Sequence, residues 1–129
     1  MGSMGQDDRP AVLIGEDDPE ILLLLELQLR RAGFHSTSAT SGTDVLRLAL
    51  AGTVDLVVLD LALPHIDGLS ILEQIRASST TAGLPVVVVS ADARESRARD
   101  CLERGASAYI TKPFRFEALL EAVNQALGR

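Results

Sequence analysis

Five short segments carry the apolar, β-branched character of strands: "AVLIG" (11–15), "FHSTSA" (34–39), "DLVVLDL" (55–61), "LPVVVVSA" (84–91) and "SAYIT" (107–111). Between and after them, apolar residues recur at steps of three and four, the spacing of a helix with one buried face. Residues 19–32 read as a first helix, with Pro19 in its first turn, Ile21, Leu24, Leu25, Leu29 and Ala32 facing inward, and Gly33 as its stop. Residues 41–51 give a second helix, with Val45, Leu46 and Ala49 inward. A third begins at Asp67 and runs through Leu69, Ile71, Leu72 and Ile75, residues 93–104 form a charged fourth, and residues 115–127 form a fifth. Strand and helix thus alternate five times. Near-continuous apolar runs such as "VVVV" fit strands covered on both faces, whereas "FHSTSA" alternates weakly and reads as an edge. The pattern predicts an α/β fold, a parallel sheet with helices on both sides.

Composition narrows the function classes. A chain of 129 residues, 47% hydrophobic and 23% charged, makes one domain with a real core. Its net charge of −6 argues against direct nucleic-acid binding, which needs a basic patch. The single cysteine, Cys101, excludes an internal disulfide framework and fits a reducing, cytoplasmic setting. The apolar run Ile21–Leu25 is far too short to span a bilayer, so no membrane role is expected. Residues 1–9, "MGSMGQDDR", read as a cloning remnant and polar leader, with Met4 the natural start and the domain at 10–127.

The polar oddities sit where strands end. Glu16 and Asp17 follow the first strand, Asp60 ends the third, Ser90 ends the fourth, and Lys112 follows the fifth. Open parallel sheets bind ligands outside the carboxyl ends of their strands, where the strand order reverses. If the order is 2-1-3-4-5, the first and third strands are neighbours, about 4.8 Å apart, and Asp17 lies beside Asp60. Crowded carboxylates repel, and a proton or a divalent cation relieves them. Oxygen-only ligands favour magnesium, with manganese the alternative, over zinc. An acid pocket that also holds a lysine and a hydroxyl suits a phosphoryl group with its metal.

The motifs "VLIGEDDP", "DLVVLDLALPHIDG", "PVVVVSADA" and "GASAYITKPF", in this order and at this spacing, resemble the receiver domain of two-component response regulators over residues 10–127. The resemblance implies a flavodoxin-like, doubly wound sheet of five parallel strands in the order 2-1-3-4-5 with five helices. It implies that Asp60 is the phosphoacceptor, taking a phosphoryl group from a phosphohistidine on a sensor histidine kinase or histidine phosphotransfer domain. Asp17 would bind Mg2+ directly, Glu16 would assist through a water, and the backbone carbonyl of Ala62 would complete the protein's share of the shell. The family usually carries Asp–Asp where this chain has Glu16–Asp17. Lys112, before an expected cis Pro113, would pair with phosphoryl oxygens. Ser90 and Tyr109 match the switch pair, Ala62 and Asp92 the positions that tune phosphoryl lifetime, and the readout face would be the fourth helix, fifth strand and fifth helix. An output domain or a homodimer is a further implied partner.

Plainer readings account for several residues. Asp18 and Asp67 are placed to cap the first and third helices. Gly68 serves close packing or a turn, His65 has no assigned chemistry, and Cys101 reads as helix core. Leu23 and Leu27 lie off the expected inward stripe of the first helix and share a second face, suited to a phosphodonor or a second copy of the chain. Two rival functions remain in view. An aspartate-nucleophile phosphatase of the haloacid-dehalogenase type needs a second acid where this chain has Ala62. A pseudo-receiver would be expected to lose one of the acids or the lysine, and all are present.

Overall fold

The structure is a computed structural model that describes residues 8–129. The strands are β1 (Ala11–Gly15), β2 (His35–Ala39), β3 (Leu56–Asp60), β4 (Val86–Ser90) and β5 (Ala108–Thr111). The helices are α1 (Pro19–Arg31), α2 (Gly42–Leu50), α3 (Gly68–Ala77), α4 (Glu95–Glu103) and α5 (Phe116–Ala126). All neighbouring strands pair in parallel, in the order β2-β1-β3-β4-β5. The expected leader at residues 1–9 lies largely outside the described residues. No helix among the described residues is long and apolar enough to cross a membrane.

The continuous apolar strands follow from two cores. Leu13, Val57, Leu59, Val86 and Val88 point to one face, where Val45, Leu46 and Ala49 of α2, Ile71, Leu72 and Ile75 of α3, and Cys101 of α4 cover them. Val12, Ile14, Leu56, Val58, Val87 and Val89 point to the other, under Leu25 and Leu29 of α1 and Leu119 and Val123 of α5. Successive residues of the central strands β3 and β4 alternate between the two cores, so none of them faces water and their sequence loses its alternation. Burying each such side chain contributes about 1.5–3 kcal/mol before entropy is charged.

Three details refine the sequence reading. The inward stripe of α1 is Leu25 and Leu29, with Leu22 packed partly against the core, while Ile21 and Leu24 are 36% and 55% exposed and Ala32 is exposed. Five consecutive apolar residues fit any helical phase, and the contact of α1 with the sheet selects one that their spacing alone does not. Asp18 caps α1, accepting from the N–H groups of Glu20 and Ile21, but Asp67 occupies the N-cap of α3 without a capping bond. A Cβ on Gly68 would lie 2.7 Å from the Leu61 Cα, so close packing is the reason for that glycine.

At the C-terminal end of α3, the half-buried Arg76 donates from Nε and Nη2 to the Gly105 carbonyl at 3.0 and 2.7 Å. Its Nη1 donates to the carbonyls of Leu84 at 2.6 Å and Thr81 at 3.4 Å. One guanidinium therefore ties the loop entering β4 to the loop entering β5. Gly105 is in the left-handed region at φ 105°, and a Cβ there would meet the Arg76 Nε at 2.8 Å.

Candidate functional site

The pocket forms because β1, β3 and β5 deliver their ends to one edge. Register pairs Gly15 with Leu59, so the next residues, Glu16 and Asp60, stand at one level. Glu16, rather than Asp17, is the acid aligned with Asp60. Glu16 and Asp60 are buried, at 2% and 3% exposure, and Asp17 is open to solvent. The three side chains bring carboxylate oxygens within 4.8 Å of one another.

Buried carboxylates need compensation. The Lys112 ammonium donates to Asp60 Oδ2 at 2.7 Å and to Glu16 Oε1 at 3.1 Å. The remaining oxygens also accept: Asp60 Oδ1 from the Ala62 N–H at 2.9 Å, and Glu16 Oε2 from the Asp18 N–H at 3.1 Å. Burial pulls the Lys112 pKa down, but the hydrogen bonds and charges of Asp60 and Glu16 outweigh it and hold the ammonium above its ordinary range. Lys112 is itself positioned by its N–H, which donates to the Ser90 carbonyl at 2.8 Å, and the Lys112–Pro113 peptide is cis. Three acids against one lysine leave the cluster negative, and its donors are all oxygen. That set fits a hard divalent cation.

Ser90 and Tyr109 meet at a third residue. The Asp92 N–H donates to Ser90 Oγ at 3.1 Å, and the Tyr109 hydroxyl donates to the Asp92 carbonyl at 2.6 Å. The Asp92 carboxylate accepts two bonds from Arg94 Nε, at 3.0 and 3.2 Å, and one from Nη2 at 2.6 Å. The Arg94 hydrogen bonds hold its pKa down at about 2. The sequence marks Asp92 only by its place after Ser90 and reads Arg94 as one of the solvated arginines of "RESRARD"; Arg94 is indeed exposed, but its guanidinium forks onto Asp92. Tyr109 lies outside the acid cluster, half-buried on β5 and packed against the core. Beside Lys112, Ile21, Leu24, Ala91, Pro113, Phe114 and Phe116 line an apolar groove.

Comparison with known proteins matches this arrangement. The profile of the response regulator receiver domain matches residues 12–124. The DNA-binding dual master transcriptional regulator RpaA of Synechocystis is 35% identical over 93% of this chain and 50% of its own length. The transcriptional regulatory protein PrrA of Mycobacterium tuberculosis is 37% identical over 93% of this chain and 51% of its own. The chain spans about half the length of these curated relatives. Among solved structures, a putative response regulator from Chloroflexus aurantiacus superposes with a TM-score of 0.88 at 32% identity, covering 95% of this chain and 100% of that one. The receiver domain of a sensor histidine kinase from Pseudomonas aeruginosa, with a magnesium ion coordinated in its active site cleft, gives 0.85 at 28% identity over 94% and 99%. A strand order that reverses beside an acid cluster, and a match covering nearly all of the sheet and helices, lead to one assignment: this chain belongs to the response regulator receiver domains, the phosphoacceptor modules of two-component signalling.

Proposed function

We propose that Asp60 accepts the phosphoryl group, within a receiver domain spanning residues 10–127. The observation that carries the reading is the Lys112 ammonium shared between two buried carboxylates at the strand ends, with Asp17 completing the cluster. An Asp60 oxygen attacks phosphorus in line, an O–P bond forms, the P–N bond of a phosphohistidine breaks, and the imidazole leaves with the electron pair. Lys112 then exchanges a carboxylate oxygen for a phosphoryl oxygen. Ser90 Oγ releases the Asp92 N–H and donates to the phosphoryl group. Asp92 also holds the Tyr109 hydroxyl, so this exchange reaches β5 and the surface formed by α4, β5 and α5.

Glu16, Asp17, Asp60 and the Ala62 carbonyl would hold Mg2+, with Mn2+ the alternative. When bound, that ion supplies positive charge against the crowded acids and the phosphoryl oxygens. The domain is a signalling phosphoacceptor that assists its own phosphorylation and dephosphorylation and is not a turnover enzyme. Its phosphodonor is a histidine kinase or histidine phosphotransfer domain in the cytoplasm, and its reader is an output domain. Intact mass after incubation with acetyl phosphate and Mg2+ tests the reading. A stable gain of one phosphoryl group is expected, absent in Asp60→Asn and in EDTA. Labelling of Asp60→Asn at the wild-type rate would sink the assignment. Rapid turnover without accumulation would support a phosphatase, and no reaction a pseudo-receiver.

A further inference from the structure

The most solvent-facing line of α1 is not polar. Glu20, Leu24, Leu27 and Arg31 follow one another at steps of four, three and four, which places them on one stripe opposite the buried Leu25 and Leu29. Leu24 is 55% exposed, Leu27 44%, and the flanking Leu23 58%. A surface helix ordinarily turns its charged face to water. Here two leucines occupy the middle of that face, and the charges sit at its ends, acid first and base last. Neither the Glu20 nor the Arg31 side chain has an ion-pair partner among the described residues.

This stripe is its own complement. When two copies of α1 are laid antiparallel about a two-fold axis between Leu24 and Leu27, Glu20 of each faces Arg31 of the other, and Leu24 of each faces Leu27 of the other. Leu23 comes opposite Gln28. A two-fold interface uses one patch on both copies, so a patch must match itself when reversed, and this one does in both charge and hydrophobicity. The helix is about 20 Å long, enough for both leucine layers and both ion pairs. We propose that α1 is a self-association surface, and that its occupant is α1 of a second copy of this chain, antiparallel, with the leucines as seam and the Glu20–Arg31 pairs fixing the register.

A contact confined to one helix is smaller than the roughly 1,200 Å2 of a stable interface, so the association is reversible and concentration-dependent. It also covers Leu24, one wall of the groove beside Lys112, so the pair and any ligand of that groove compete.

Sedimentation equilibrium of the 129-residue chain tests this directly. Wild type should shift from monomer toward dimer between roughly 10 μM and 1 mM, the range expected for a small interface. Glu20→Arg and Arg31→Glu each set like charges face to face and should weaken association about tenfold. The two changes together restore opposite charges across the axis and should recover it. Both reversals oppose the helix dipole, so circular dichroism must show an intact fold. Leu27→Lys leaves the helix ends alone and should abolish the dimer. A wild type that stays monomeric at about 1 mM overturns the proposal and leaves the stripe to a different protein. Single reversals that associate like wild type, or a double reversal that fails to recover association, overturn it equally.

Discussion

Two half-buried cations divide the labour of this molecule. Arg76 is surrounded by backbone carbonyls, those of Gly105, Leu84 and Thr81. Lys112 is surrounded by carboxylates, those of Asp60 and Glu16. Burial moves the Arg76 pKa down because no charged group offsets its desolvation, whereas the acids around Lys112 move its pKa up. A planar guanidinium fits fixed acceptors in fixed directions, and carbonyls cannot leave their chain. An ammonium is a point charge that can change partners without changing shape. The difference teaches which parts of the receiver are built to stay and which to exchange. The clamp at Arg76 sits where the chain enters β4 and β5, at the opposite strand ends from the acid cluster, and holds loops; Lys112 holds the carboxylates of the proposed phosphoacceptor site.

That contrast can be broken most severely at Arg76. Arg76→Ala leaves the partly enclosed carbonyls of Gly105 and Leu84 without the guanidinium donor and removes one of two donors to Thr81; it is expected to cost about 2–4 kcal/mol, read as a drop of about 10 °C in Tm. Acetyl-phosphate labelling of the protein that remains folded should be nearly unchanged. Loss of labelling in a fully folded variant would show that the two cations are not separable. Asp60→Asn should do the reverse. It removes one of three crowded acids together with the proposed acceptor, and stability at neutral pH should rise by up to about 1 kcal/mol in urea denaturation. A clear loss of stability would mean that the Lys112–Asp60 pair is structural after all. The smallest effect is in pH. Because the folded-state pKa of Lys112 lies above its ordinary value of 10.5, its contribution is fully present below that value and is lost as pH rises through the raised one. Wild type should therefore lose stability above roughly pH 10.5 more steeply than Lys112→Met, and parallel curves would count against the pairing.

Much of this is legible in the sequence. Each strand and helix lies within two residues of its expected place, because buried parallel strands and amphipathic helices leave strong marks in composition. The acids and Lys112 stood out because charge at the end of an apolar run is costly without a purpose. What escaped is instructive. Arg76 looked like any helix-terminal arginine, since its partners are carbonyls that every residue possesses and no pattern encodes. The spacing of "ILLLL" offers every phase at once, so it places Leu25 and Leu29 inward correctly but also Ile21 and Leu24, which are exposed. The hub at Asp92 depends on the path of the loop after Ser90, which side-chain identity does not set.

The valine run of β4 has one more consequence. Val86–Val89 is the most β-branched, uncharged stretch in the chain, the composition of a segment that stacks on copies of itself when unpaired. It is kept from doing so by a sheet neighbour on each side, β3 and β5, and β5 is the outermost strand. Arg76 anchors the approach to both β4 and β5. Detachment of β5 on heating would uncover the valines to other molecules before the rest of the domain has melted. Loss of the clamp would therefore be expected to raise the tendency to aggregate as well as lower stability.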